Sequence, residues 1–428
     1  MPRLPNFRLV SFNIARVWLY RGTKRTRYVV HELTKQKKRI RSLSNAARNI
    51  FLQYARRAAR IHKPFIRWRR RVLRDREQVG HYRGARRVER RIKRMAKTGS
   101  SPMVIGPWTS EVGYEVLYWI PFLRWMKDRY FLASEDLVVV SRGGVSDWYR
   151  DISSTYIEIL DLIDPITFAN RYSGSGSGEN ESQKQWMVSS FDREVIREVK
   201  NRLDVDSVRI CHPSFMYQLF KQFWFGNLAF DFLMQHIQFS RQHVRASKVR
   251  ESLPDEYVAV KFYSGQALPE TLWCEQVLRS MVKRIAAQVP VVVMETELAV
   301  DEHRDFNFSD IPGVTVTCLP VKNNLGLQTE IIGRSQAFVG TCGGLAWLAP
   351  MLGIETVAVF ADDRHLKSHL FVARHAFRQL ESALFETIDL RAVERFHLFD
   401  SKEDKTIKRG RHRIPFDGRG TEASSSQH

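Results

Sequence analysis

The sequence predicts an α/β protein: two Rossmann-like domains facing across a cleft, preceded by a basic, largely helical N-terminal extension. Three observations carry that expectation. Short apolar runs of strand length alternate with helix-length amphipathic segments, the pattern of a parallel sheet covered on both faces. The alternation comes in two series, separated by a connection at 224–253. Each series also holds a glycine turn between an apolar run and a helical pattern. The chain of 428 residues suits two domains and an extension. The expected boundaries are 1–100 for the extension, 101–250 and 251–398 for the two domains, and 399–428 for a disordered tail.

The extension explains the charge. The net charge of +22 invites a nucleic-acid reading, but residues 1–100 hold 31 Lys/Arg against 4 Asp/Glu, leaving 37 and 42 in the remainder. The body is therefore an ordinary, slightly acidic globular chain. Phe51, Tyr54, Ala55, Ala58 and Ile61 recur at three- and four-residue spacing among Arg56, Arg57 and Arg60. That is a basic amphipathic helix of the kind that lies on an anionic membrane surface. The alternatives are a disordered arm or, through aromatics such as Trp68 and Tyr82, nucleic acid, the disfavoured partner. The four cysteines form no CxxC pair, which argues against a zinc site or disulfide framework and fits a reducing compartment. No apolar run reaches 18 residues, and the N-terminus lacks a secretory h-region. The expected location is cytoplasmic and peripheral at the membrane.

The first series begins after Gly99-Ser100-Ser101-Pro102 with a strand at Met103–Ile105. A turn from Gly106 to Gly113 follows, then a helical pattern over 114–130. Leu137–Ser141 is a buried strand ending in Arg142-Gly143-Gly144. Residues 155–163 read as a helix, 173–178 as a flexible Ser-Gly loop, 192–203 as a helix and 207–211 as a strand running into His212-Pro213-Ser214. In the second series, strands are expected at 257–263, 291–294, 314–319, 337–339 and 356–360, with helices at 271–288, 327–334 and 344–352.

The chemistry centres on Gly340-Thr341-Cys342-Gly343-Gly344, between the 337–339 strand and a helix. Ligands of open α/β sheets sit at the carboxyl ends of strands. Glycines there let backbone N–H groups approach a phosphate, and the helix dipole adds about half a positive charge. The spacing is not GxGxxG, which argues against a nicotinamide fingerprint. A turn needed only for strand-to-helix packing is the competing explanation. Arg142 and His212 both follow strands and are expected at the cleft edge, Arg142 as an anion ligand and His212 as an alternative base. Glu295, Gln328 and Glu330 are candidates to hydrogen-bond sugar or ribose. Asp204-Val205-Asp206 follows a helix and reads as a surface turn, not a metal-binding DxD. No His, Asp or Cys cluster has metal-ligand spacing, so neither metal nor cofactor is expected.

The run from Leu327 to Thr341, with Gly343-Gly344, Leu348-Ala349-Pro350, Gly353 and the Val357–Phe360 strand, resembles the donor-binding half of GT-B glycosyltransferases of heptosyltransferase-like and fucosyltransferase-like type, over roughly 255–395. The resemblance implies a GT-B-like fold with a nucleotide-sugar diphosphate held near Gly340, Thr341, Gly343 and Gly344. It implies a phosphate-facing role for Lys261 and Tyr263, at the end of the 257–263 strand. The Gly106–Gly113 turn resembles the first loop of the acceptor domain. An inverting transferase needs a general base, for which Glu111 and then Glu115 are the candidates. Both glutamates would otherwise serve the helix dipole. The implied activity is metal-independent transfer from a nucleotide sugar to a glycan or lipid-linked acceptor. A nucleic-acid-binding protein and a non-catalytic scaffold of the same fold are the alternatives.

Overall fold

A computed structural model describes residues 72–73, 76–97, 101–173, 184–242, 244, 253–297 and 303–396. The chain divides into two units, 1–80 and 81–428. In the first unit the described residues are helical. The expected 46–61 helix, the Ser-Gly loop beyond Ser173 and the tail lie outside the described residues. Everything below concerns the second unit.

That unit contains two parallel sheets. The first joins β1 (Met103–Ile105), β2 (Leu137–Ser141), β3 (Thr155–Glu158) and β4 (Arg209–Cys211) in the order β3-β2-β1-β4. The second joins β5 (Val258–Lys261), β6 (Val291–Thr296), β7 (Val314–Leu319), β8 (Ala337–Thr341), β9 (Glu355–Phe360) and β10 (Phe385–Asp389) in the order β10-β9-β8-β5-β6-β7. Every strand pair is parallel. Counted within its domain, the second sheet runs 3-2-1-4-5-6, and the first runs 3-2-1-4. Both are Rossmann orders, with the reversal between strands 1 and 4. The α/β class with two Rossmann-like domains is as the sequence predicts.

The main helices are α1 (81–97), α2 (Ile120–Tyr130), α3 (Ser190–Leu203), α4 (Ser214–Trp224), α5 (Leu272–Ala286), α6 (Asn324–Arg334), α7 (Gly344–Met351) and α8 (Lys367–Gln379). A helical turn, Val112–Tyr114, and a π-helical segment, Glu115–Trp119, lead into α2. Local chemistry sets several starts. Ser189 and Asp192 form a capping box at α3, and the Thr271 hydroxyl accepts from Cys274 N at α5. Ala85, Val88, Ile92 and Ala96 recur on one side of α1 and are buried, the first three within the core cluster that holds the first domain's aromatic residues.

One expectation needs correction. Residues 155–163 are not one helix. Thr155–Glu158 is strand β3, and only Ile159–Leu162 is helical. Thr-Tyr-Ile is β-branched and aromatic, and pairing with β2 decides the matter. The strand β10 and helix α8 were not anticipated. The Asp204 region is an exposed turn, as expected, with Asp204 in the left-handed region that ends α3.

Alternation along the strands determines the layering. Val104, Val138 and Val140 face one core in the first domain. Val258, Val260, Val291, Val293 and Val339 face another in the second. The opposite faces, with Ile105 and Val139 from one domain and Ala259, Val292, Met294 and Phe338 from the other, feed a single shared core. Trp108, Trp119 and Tyr217 stack inside it, with ring centroids 5.6 and 6.1 Å from Trp108. The two domains therefore meet through continuous apolar packing.

Candidate active site

The carboxyl ends of β5 and β8 meet at the reversal point of the second sheet, where ligands of open α/β sheets bind. Lys261 ends β5 and is 6% exposed. Its Nζ donates to Met294 O at 2.9 Å and pairs with Asp305 Oδ2 at 2.5 Å. Thr341 ends β8. Its hydroxyl donates to Tyr263 O and accepts from Tyr263 N, at 3.0 and 2.9 Å, pinning the glycine turn to the segment after β5. The Tyr263 ring lies 4.6 Å from the His303 ring, tilted by 45°. Glu295 lies in β6 directly after the carbonyl that receives Lys261.

The glycines of the turn answer to close approach. Strand β8 runs to Thr341, so Gly340 belongs to the sheet, and a Cβ there would sit 2.5 Å from Lys261 O. At Gly343 a Cβ would lie 2.3 Å from the Tyr263 hydroxyl. At Gly344, the first residue of α7, it would meet Val112 at 2.8 Å and Gly113 N at 3.1 Å. Gly113 in turn faces the Trp347 indole. The first-domain helical turn therefore sits against the start of α7, so packing restricts Gly340 and Gly344 whatever the turn binds, whereas at Gly343 the obstacle is the tip of the Tyr263 side chain.

In the first domain the turn from Gly106 is fixed strand by strand. Gly106 N donates to Cys211 O, and Trp108 N to Val140 O. Gln185 accepts from Thr109 N and donates to Pro107 O and Asp192 Oδ1. Gly106 has φ +123, and a Cβ there would strike Val140 O at 2.4 Å. Glu111, half-buried, stands at the cap position of the helical turn without a side-chain capping bond. Its charge helps burial push the Tyr114 phenol up. Gly113 thus meets Gly344, Gly343 and Thr341 meet Tyr263, Lys261 pairs in register with Gly340, and Glu111 directly precedes the Val112 that faces Gly344.

Of the other expected residues, Arg142 reaches the turn that carries Glu111, and Glu115, His212, Gln328 and Glu330 are placed elsewhere. Glu115 is fully buried under the β2 end, where its Oε1 accepts from Ser141 Oγ at 2.7 Å and Tyr149 OH at 2.5 Å, while Oε2 has no hydrogen-bond partner. Burial pushes its carboxyl up to about 7, against those bonds and the Arg142 charge. Arg142 is buried and donates to Ser110 O at 3.1 Å. His212 is 2% exposed inside the first domain, with Nδ1 accepting from Ser214 N and Nε2 3.2 Å from Asp192 Oδ2. Burial alone would raise Asp192. The His212 contact and the Ser189 bonds hold it below its usual range instead. Gln328 and Glu330 lie on α6, whose N-terminal half receives the loop after β2. There Gly326 N donates to Gly143 O, and Trp148 Nε1 to Thr329 Oγ1. A cavity of about 30 Å³ between them is lined by Gly144, Trp148, Thr329 and Glu330. The Gly143 and Gly144 amides, an anion nest after β2, are taken by Glu158, which also accepts from Leu160 N and Tyr156 OH.

Sequence reasoning missed a second meeting point. His369 on α8 contacts two tyrosines of the first domain, Tyr118 OH from Nδ1 at 2.7 Å and Tyr114 OH from Nε2 at 3.3 Å. Burial, then the Lys184 and His365 charges, push it down to about 4, so it is neutral near pH 7. Lys184 Nζ lies 5.2 Å from the Tyr114 ring centre. No local signal marks His369, because only the packing of α8 on the first domain gives it partners. Among the described residues no group of three or more His, Cys, Asp or Glu could hold a metal ion, and no helix is long and apolar enough to cross a membrane.

No family model matches the chain, and no curated protein matches it. Among solved structures it is similar to the iron-containing dodecameric glycosyltransferase TibC of enterotoxigenic E. coli H10407, with TM-score 0.32 and 13% identity over 61% of this chain and 59% of that one. It is also similar to a glycosyl transferase family 9 protein of Veillonella parvula DSM 2008, with TM-score 0.39 and 10% identity over 71% and 91%. A third is the E. coli ADP-heptose lipopolysaccharide heptosyltransferase II, with TM-score 0.34 and 13% identity over 61% and 84%. The chain thus spans less than two thirds of the length of the first of these.

Proposed function

We propose that the chain is a nucleotide-sugar-dependent glycosyltransferase acting without a metal on a glycan or lipid-linked acceptor. The observation that carries this reading is the convergence at the two reversal points. A cation, Lys261, and the start of α7 stand at one, and a half-buried carboxylate, Glu111, at the other. Lys261 and the α7 amides suit a diphosphate leaving group. The donor diphosphate would displace Asp305 from Lys261. Glu111 suits removal of the acceptor proton. The acceptor oxygen then bonds to the anomeric carbon as the bond to the diphosphate breaks. The nucleoside diphosphate departs, and the proton passes to the Glu111 carboxylate.

The test is a panel of adenosine, uridine, guanosine and cytidine diphosphates and their sugar conjugates, read by melting shift and by transfer or hydrolysis. One nucleotide should stabilise the parent protein, and Lys261→Ala should lose that shift. Glu111→Gln should keep the shift while turnover falls about a hundredfold. If no nucleotide shifts the melt and no sugar conjugate turns over, the reading fails.

A further inference from the structure

The segment 184–186 lies against the turn that carries Glu111. Gln185 accepts from Thr109 N at 3.1 Å and donates to Pro107 O at 2.9 Å. Its chain neighbour Lys184 is half-buried, and Lys184 Nζ stands 5.2 Å from the Tyr114 ring centre. Tyr114 N in turn donates to Glu111 O. Lys184 is therefore tied to the Glu111 turn both through its backbone neighbour and through its ammonium. Arg142 meets the same turn from the end of β2. It is 5% exposed and donates to the carbonyl of Ser110, the residue before Glu111.

Neither cation is neutralised. Among the described residues no carboxylate forms an ion pair with Lys184 or Arg142. Arg142 Nε is buried and has no hydrogen-bond partner. Glu115 feels the Arg142 charge, yet its one bonded oxygen is taken by Ser141 and Tyr149. A buried guanidinium without an acid is costly unless an anion joins it. The Tyr114 ring face holds the Lys184 ammonium in place but leaves its charge uncancelled.

We infer that Lys184 is a specificity-determining residue for the acceptor: it receives an oxyanion, carboxylate or phosphate, carried by the acceptor sugar, while Arg142 strengthens the positive field beneath the turn. This deepens the glycosyltransferase reading and rests on it. In that reading the donor diphosphate sits at Lys261 and α7, on the second domain. Lys184 belongs to the first domain, beside the carboxylate that takes the acceptor's proton, so the anion it meets is the acceptor's. Two cations at the Glu111 turn also offset the repulsion between that carboxylate and an anionic sugar. An ammonium is a point charge with three donors and suits either oxyanion.

The test measures binding of glucuronate, glucose-6-phosphate and glucose to the full chain by saturation-transfer NMR, with no nucleotide present. The anionic sugars should bind about tenfold more tightly than glucose, and a preference for only one of them identifies the oxyanion. Lys184→Met keeps the aliphatic stem and should erase the preference. Lys184→Arg keeps the charge over the ring and should retain it. Lys221, exposed and 5.2 Å from the Trp186 ring centre, is the control for charge alone, and Lys221→Met should bind as the parent does. No preference in the parent, or one that survives Lys184→Met, would overturn the inference. So would a loss in both Lys184 variants, which is an effect of packing, or an equal loss in Lys221→Met. Any nucleotide-dependent melting shift should be unchanged in Lys184→Met, and a nucleotide panel that fails, read apart from these sugars, counts against the transferase reading alone.

Discussion

At the scale of single residues, Glu115 has a measurable consequence. Its carboxyl is fully buried and pushed up to about 7 from an ordinary value near 4.5. A raised acid binds its proton more tightly when folded. Its stabilising contribution is therefore full below pH 4.5 and is lost as pH rises to 7. The loss is on the order of 3 kcal/mol, at about 1.4 kcal/mol per pH unit. Glu115→Gln keeps an acceptor for Ser141 and Tyr149 and places an amide where Oε2 has no partner. It should be more stable than the parent at pH 8 and nearly equal at pH 4.5, by urea denaturation. An unchanged difference between the two pH values would exclude this account. The sequence offered Glu115 as the second candidate for a general base or as a helix-start carboxylate. Its burial follows from the π-helical segment turning it under the β2 end, which no local spacing announces.

Among elements, the joint between the β2 loop and α6 is built from glycines. A Cβ at Gly326, within α6, would lie 2.4 Å from Gly144 O, and one at Gly143 would strike Asn324 and Leu325 at 2.9 Å. Gly143 and Gly144 also have φ of +84 and +75, which L side chains rarely adopt. Gly326→Ala should therefore destabilise by about 1–3 kcal/mol through overpacking, although alanine favours a helix interior by about 1 kcal/mol. Chemical denaturation checks the sign, and a neutral or stabilising result would mean that the joint yields. Gly344→Ala should behave alike, because Val112 and the Gly113 amide stand where its methyl would go. The glycine-rich turns themselves were readable from sequence. That they meet one another across the domains was not.

At the largest scale, the described residues of the second unit form two Rossmann-like domains sharing one apolar core, with His369 bridging them through Tyr114 and Tyr118. Burial, with Lys184 and His365, holds His369 down to about 4 from 6.5. A base depressed by folding binds fewer protons when folded. Its contribution is therefore full above pH 6.5 and is lost as pH falls towards 4, by on the order of 3 kcal/mol. His369→Gln removes the titration, so its stability relative to the parent should rise between pH 7 and pH 4.5. A flat difference would place the acid sensitivity elsewhere. The sequence by itself determined the α/β class, nearly every strand of both sheets and the two glycine turns, because apolar periodicity and turn residues act over a few residues. It also determined the confinement of the positive charge to the first hundred residues. Only the tertiary structure decided that α1 docks on the folded body, that Glu115 and His212 are enclosed while Glu111 stays at the junction, that Lys261 is paired with Asp305, and that His369 joins the domains. Each of these depends on partners dozens to hundreds of residues away, and burial and proton affinity are set by such partners, not by the residue's own neighbours in the chain.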